Sequence, residues 1–413
     1  MEKPAENSTP PMVEPRPDWN ERHQAQSRPA WGSLIARGML VLLFCGGLFF
    51  SAVPVGRSAA RSALLLPALI TQSEPPPLVL AGDPVRHTES TINSQDGTVF
   101  LDTYAPATLP PPVPGAREGV VVISGVGDNR QVEQLVNLLN SMARAGMVVM
   151  SLTTQTLMAY DLSPATADAI VQTVLTLQHS PGVNPKDVGI LGFSAGGSLA
   201  ALAAADPRIQ DSLAFVTLFG SYYDARTLLE VFGHRAQEVA GHLVPWTPNS
   251  VPIQVLTNVV AGTFDNGDGT VLQSGINSTT GMYLSAASVS ALSPPAQAAY
   301  HLLAGDEPGR VAANLALLSP QLKALLVSLS PSSVVGEIRA PIYLLHDRND
   351  QFVPFTQSRA FAAELGHLGH HYRYAEFSIF QHVEVKTGLA IGPLLRDGAT
   401  LYQLLTEMLL PAS

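Results

Sequence analysis

Gly192-Phe193-Ser194-Ala195-Gly196 sets a serine between two residues that have no side chain. The apolar run VGILGF, 188–193, ends there and a small-residue stretch reaching Ala205 begins. A serine in that context falls on a sharp strand-to-helix turn, where bulk two positions before or after would clash and the first helix amides point at the hydroxyl. Without a strand and a helix around it, the same five-residue pattern marks an ordinary turn. A hydroxyl attacks a carbonyl only when a base takes its proton and a third group orients that base. Downstream, Asp347 and Asp350 flank a turn after the apolar run PIYLLH, 341–346, and His382 stands in SIFQHVEV. Chain order is therefore serine, acid, histidine. Either aspartate also suits a turn, and a lone loop histidine carries no chemistry of its own. The oxyanion formed on attack needs two backbone N–H donors. Ala195 offers one. The loop Ser124-Gly125-Val126-Gly127, after the run GVVVIS at 119–124, offers the other at Val126. This loop has no G-x-x-x-x-G-K-[ST] pattern and no lysine, which excludes a phosphate cradle.

The elements around these residues alternate. TVFLDTY (98–104) reads as an alternating strand, GVVVIS and MVVMSL (147–152) as strands buried on both faces, with Val132, Leu135, Leu138 and Leu139 at helical spacing between them. Helical spacing returns over 164–178, and VGILGF, the small-residue helix and AFVTLF (214–219) follow. Strand, helix and strand in this rhythm predict a mostly parallel sheet flanked by helices. The rhythm breaks over 223–340, where apolar helical stretches (227–232, 313–327) and Pro-containing loops predict a largely helical lid or cap insertion. PIYLLH resumes the sheet, 356–365 reads as a helix, and HYRYAEF (371–377) as the last strand.

With these elements in place, the chain resembles the α/β-hydrolase superfamily over about 87–410, and within it the bacterial dienelactone-hydrolase-like and prolyl-oligopeptidase-like serine hydrolases. In that family the acid lies in a segment similar to H-G-x-x-D-x-x-V-P, which here is His346-Asp347-Arg348-Asn349-Asp350-Gln351-Phe352-Val353-Pro354. The resemblance puts the nucleophile on Ser194, the base on His382 and the acid on Asp350, with Gly192 and Gly196 framing the elbow. Asp347 occupies the usual glycine and stays as the alternative acid. The family's His-Gly oxyanion loop is replaced by Ser124-Gly125.

Composition limits the rest. The 413 residues carry 23 basic and 33 acidic side chains, a net charge of -10, with only four lysines and no basic block. No nucleic-acid partner is expected from such a surface. With 46% hydrophobic and 14% charged residues the chain is no disordered acidic tail. Cys45 is the only cysteine, so neither a disulfide framework nor a cysteine-ligated metal forms within the chain. The acidic run at 265–269 puts Phe264 and Gly275 where a calcium loop needs ligands, and His367, His370 and His371 have no completing carboxylate, so no metal and no cofactor is expected.

Residues 38–56 are uncharged and mostly apolar between Arg37 and Arg57, long enough for about 28 Å of helix. They predict a single transmembrane signal anchor behind a disordered tail, 1–37. A linker, 57–86, would follow, with Glu74-Pro75-Pro76-Pro77 as an extended spacer, and then a hydrolase domain, 87–413. Cleavage near Ser58 and Ala60 is the alternative to an uncleaved anchor. Arg22, Arg28 and Arg37 before the span, against Arg57 and Arg61 after it, favour an extracytoplasmic domain. The expected protein is a membrane-anchored serine esterase acting on a small ester with an apolar acyl or alkyl group. A peptidase or amidase, an acyltransferase, and a non-catalytic membrane-tethered binding module are the alternatives.

Overall fold

The computed structural model describes residues 53–107, 117–277 and 281–410. Eight strands form one sheet: β1 (Val85–Ser94), β2 (Gly97–Pro106), β3 (Arg117–Ile123), β4 (Val148–Thr154), β5 (Val183–Phe193), β6 (Leu213–Phe219), β7 (Ile342–Asp347) and β8 (Tyr372–Phe377). Their order is β1-β2-β4-β3-β5-β6-β7-β8. β2 runs antiparallel to both β1 and β4, and the remaining neighbours are parallel. The expected mostly parallel α/β fold is present. β1 escapes the hydrophobic pattern because it is an edge strand with most of its side chains exposed, so no alternation is required of it. Register fixes it instead: Ser94 pairs with Gly97 across Gln95-Asp96, and Gly97 at φ 84° closes the hairpin.

Helices cover both faces. On one, α3 (Thr166–Gln178), α4 (Ala195–Ala204) and α5 (Thr356–His367) bury Ile170, Leu199 and Phe361 in the largest core. On the other lie α1 (Pro54–Thr71), α2 (Glu133–Arg144) and α6 (Ile391–Met408). Sequence pattern alone passes over α6, because Gly392 and Pro393 obscure its start. A proline in a first turn gives up only an N–H that has no intrahelical partner.

The stretch expected as a linker, 57–86, departs from that reading. α1 continues to Thr71 and packs along α6, with the Ser58 hydroxyl donating to the Leu409 carbonyl at 2.6 Å and Leu65 and Ala68 buried. Arg61 pairs with Glu118 at 2.7 Å, and Arg144 with Glu74 at 2.6 Å. Pro76–Ala81 is a short helix in place of an extended spacer, with prolines in its first turn, where they are tolerated. Most of the expected anchor, 38–52, lies outside the described residues. Among the described residues no single helix is long and apolar enough to cross a membrane.

Between β6 and β7 the chain leaves the sheet for a largely helical cap that includes Ala225–His234, Ser250–Ala261 and Pro294–Ala304. The stretch expected as one helix at 313–327 is two, Val311–Leu317 and Pro320–Ser328, bent by 99°. Pro320 bars Ser319 from helical geometry, and the Ser319 hydroxyl caps the second helix at the Leu322 N–H.

β3 is followed by β4 on one side and β5 on the other, so the chain reverses its winding there. In open α/β sheets, ligands bind outside the carboxyl ends of the strands at such a point. Those ends carry Ser124-Gly125 and Ser194.

Candidate active site

Ser194 sits between β5 and α4 with φ 55° and ψ −135°, a region that costs a non-glycine residue ~1–3 kcal/mol. The surroundings hold it there. Its N–H donates to the Phe219 carbonyl on β6 at 2.8 Å. A side chain at Gly192 would meet the Cα of Gly197 at 2.5 Å, and one at Gly196 would run into the Ser124 carbonyl. Gly197, outside the five-residue pattern, is equally constrained, by Ser221. The elbow thus needs three glycines, because three backbone segments converge on it.

The loop 124–127 passes against the serine: a Cβ on Gly125 would lie 3.1 Å from the Ser194 Cβ and 3.4 Å from its Oγ. Asn129 pins this loop. Its Nδ2 donates to the Val126 carbonyl at 3.0 Å and lies 3.3 Å from both the Gly125 carbonyl and the Ser124 Oγ. Sequence reading missed Asn129, because a side-chain amide that staples a loop leaves no spacing signature. Ala195 opens α4, where the first amides have no intrahelical acceptor and face the serine's end of the helix.

His382 occupies the tip of a hairpin in which Phe380–Gln381 pairs with Glu384–Val385, and it adopts φ 61°. Its Nδ1 lies 2.7 Å from the Asp350 Oδ2, and its ring stacks on Phe352 at 4.4 Å and 11°. Gly220, with φ 66°, makes room, since a Cβ there would stand 3.0 Å from the imidazole. Asp350 is buried and well partnered. The N–H groups of Phe352 and Val353 donate to its Oδ1 at 2.7 and 3.0 Å, and the His346 Nε2 stands 3.3 Å from its Oδ2. Burial by itself would raise its pKa. The His382 charge, hydrogen bonds from His346 and His382, and the His346 charge outweigh that and hold it below the ordinary carboxylate range. An ionised Asp350 only accepts, so the His382 Nδ1 is the donor of their contact.

Asp347, the alternative acid, ends β7 and is fully buried, yet the ring of His382 turns to Asp350. Asp347 accepts from the Asn349 N–H at 3.2 Å and lies 3.7 Å from the Lys386 Nζ. Burial, its largest influence, pushes its pKa up. His346 anchors the acid turn from behind, with Nε2 3.0 Å from the Val353 carbonyl and Nδ1 2.7 Å from the Ser358 Oγ. The cap reaches the same turn: the Trp246 indole donates to the Asp350 carbonyl at 2.7 Å.

Ser194, Val126 and His382 line one cavity of about 570 Å³, and Ser194, Val126 and Ala195 line a second of about 50 Å³ beneath the cap. Elsewhere, His87, Glu89 and Asp102 bring ligand atoms within 4.8 Å of one another on the β1–β2 hairpin, but the His87 Nε2 is already 2.8 Å from the Asp102 Oδ1. In the histidine cluster, the two His370 nitrogens face the backbone carbonyls of His371 and Ile338.

No family model and no curated protein matches the chain. Among solved structures it is similar to a puromycin-hydrolyzing peptidase of Mycobacterium tuberculosis, at 16% identity and TM-score 0.47, covering 78% of this chain and 39% of that one. The acylaminoacyl peptidase of Pyrococcus horikoshii gives 14% identity and TM-score 0.47, covering 80% and 42%. A 2,6-dihydroxy-pseudo-oxynicotine hydrolase gives 16% identity and TM-score 0.40, covering 78% and 68%. The chain spans about two fifths of the length of the two peptidases.

Proposed function

We propose that this chain, an α/β-hydrolase by its fold, is a serine hydrolase that cleaves a carboxylic ester through an acyl-enzyme. The observation that carries the reading is the 2.7 Å contact of the His382 Nδ1 with a buried, ionised Asp350, on a ring that shares a cavity with the strained Ser194. The His382 Nε2 takes the hydroxyl proton as Ser194 Oγ attacks the carbonyl, and Asp350 stabilises the imidazolium. The amides of Ala195 and Val126 receive the oxyanion. Collapse of the tetrahedral intermediate expels the alcohol, protonated by His382, and leaves the acyl group on Ser194. Water, activated by the same imidazole, then releases the acid.

Ester is preferred to peptide on the cavity's chemistry. Among the described residues lining it, Glu384 is the only one with a charged side chain besides the titratable His382, and most of the rest are apolar. A peptide would bury amide groups there that need partners. Attachment to a membrane through 38–56, with the catalytic domain outside the cytoplasm, belongs to the same proposal and is supported by that segment's uncharged length. Carbonate extraction and protease accessibility of vesicles test it, and release of the full chain by carbonate refutes it.

A fluorophosphonate probe tests the catalytic reading. Covalent labelling of the full chain, lost in Ser194→Ala, is expected. Folded protein that takes up no probe is a binding module and refutes it. Matched ester and anilide substrates separate esterase from amidase.

A further inference from the structure

On the face covered by α1, α2 and α6 the apolar side chains do not form one core. They divide into a cluster around Val122, Leu139 and Met142 and another around Tyr343, Phe377 and Leu404, with Phe193 and Phe215 touching both. Protein interiors are close-packed, with few voids larger than a water molecule. Side chains of both clusters line the cavity of about 570 Å³, which is partly open. Val120, Leu191, Phe215 and Thr217 of the sheet line one side. Leu65, Ala68 and Leu69 of α1, with Leu405 and Met408 of α6, line the other. Thr217 spends its hydroxyl on the Met408 Sδ at 2.9 Å, so the strand's polar atom is already partnered. One end of the cavity is Ser194 and His382.

We propose that this cavity receives an unbranched alkyl chain of the ester that Ser194 attacks, with α1 as its wall. The inference rests on the esterase reading and adds the substrate class, an ester carrying one medium-length hydrocarbon arm. The bore's length follows from β6, whose lining residues run from Phe219 back to Phe215. Four residues at ~3.3 Å each give ~13 Å, the length of about ten extended carbons. Beside Ser194 and beneath the cap, the cavity is about 50 Å³, against about 570 Å³ on the other side. The long arm therefore lies on the face of the sheet covered by α1, α2 and α6, and the small arm lies under the cap.

Two ester series test this on the full chain in a sterol-based detergent, whose rigid rings do not enter the bore. One is p-nitrophenyl alkanoates from acetate to dodecanoate, the other alkyl acetates of the same lengths. In one series kcat/KM rises at least thirtyfold towards about ten carbons, a modest demand against about fourfold per buried methylene. The series that responds identifies the arm as acyl or alkoxy. Ala68→Phe and Leu69→Trp, which plug the bore from α1, each lower the ten-carbon to two-carbon ratio at least tenfold. Flat profiles in both series, with acetate still cleaved and Ser194→Ala inactive, overturn the chain site and leave the hydrolase reading standing. Ratios within twofold of wild type in both variants overturn it as well. No turnover of any ester, with no fluorophosphonate labelling, overturns the hydrolase reading and this inference with it.

Discussion

Asp350→Asn exchanges one oxygen for an NH₂ group and leaves the side-chain volume almost unchanged. The Oδ1 side accepts from the Phe352 and Val353 N–H groups, so the amide oxygen stays there and the NH₂ takes the Oδ2 position, 2.7 Å from the His382 Nδ1. An NH₂ only donates, so His382 must accept at Nδ1 and carry its proton on Nε2, facing the serine it should deprotonate. The wrong tautomer costs about 10⁴ in kcat, or about 5 kcal/mol of transition-state stabilisation. Asp347→Asn tests the alternative. Its amide oxygen still accepts from Asn349, and the Lys386 contact it loses, at 3.7 Å, does not involve the His382 ring, so kcat/KM should fall far less than in Asp350→Asn. Stability separates the two with opposite signs. Asp350 has a lowered folded pKa, so its contribution is present above the unfolded value of ~3.9 and is lost as pH falls through the folded pKa; Asp350→Asn forfeits it at neutral pH. Asp347 has a raised folded pKa, so its ionisation erodes stability as pH climbs from ~3.9 to the folded value, and Asp347→Asn is at least as stable as wild type at pH 7. Steady-state hydrolysis of p-nitrophenyl butyrate from pH 5 to 9, with urea melts at pH 4 and 7, reads both. If Asp350→Asn keeps more than a tenth of the activity, or Asp347→Asn loses the greater share, the assignment of the acid is wrong.

Gly125→Ala places a Cβ 3.1 Å from the Ser194 Cβ, tighter than ordinary contact. Burst kinetics should show slowed acylation with the thermal midpoint little changed, and an unaltered burst rate rejects the close approach. Asn129→Ala frees the 124–127 loop and lowers kcat about tenfold or more with KM nearly constant, as expected when an oxyanion donor loses its position. A rise in KM alone assigns Asn129 to substrate binding. Ser58→Ala deletes a buried 2.6 Å hydrogen bond between α1 and the carbonyl just after α6, at a cost of about 1 kcal/mol, read as a lower urea midpoint. No shift means that α1 is not docked in solution.

Much of the site was legible because its constraints are local. A nucleophile turn needs small residues at fixed offsets, and parallel strands buried on both faces read as unbroken apolar runs, so Ser194 and β3 to β7 follow from spacing. The acid did not separate from its neighbour by pattern: Asp347 and Asp350 both end an apolar strand at a turn. What distinguishes them is the direction of one imidazole, set by Gly220, Phe352 and the His382 hairpin, which lie far apart in sequence. Asn129 and Trp246 were hidden for the same reason, since each acts through a side-chain contact with backbone that periodicity does not record.

The stretch expected as a linker, 57–86, was misread for a different reason, which bears on function. Leu64, Leu65, Leu66, Leu69 and Ile70 follow an apolar segment closely, so hydropathy alone joins them to an anchor or leaves them in a linker. Burial divides them. Leu65 is 3% exposed within the domain and Leu64 is 37% exposed, an amphipathic division that a membrane span does not require. A chain shortened to 87–413, the natural choice for a soluble form, thereby loses α1 and with it one wall of the cavity beside Ser194. Acetate esters need only the elbow and the His382–Asp350 pair, whereas a ten-carbon arm needs the wall. The shortened chain, if it folds, should keep a larger fraction of its acetate activity than of its decanoate activity. Equal losses would show that α1 supports the fold without shaping specificity.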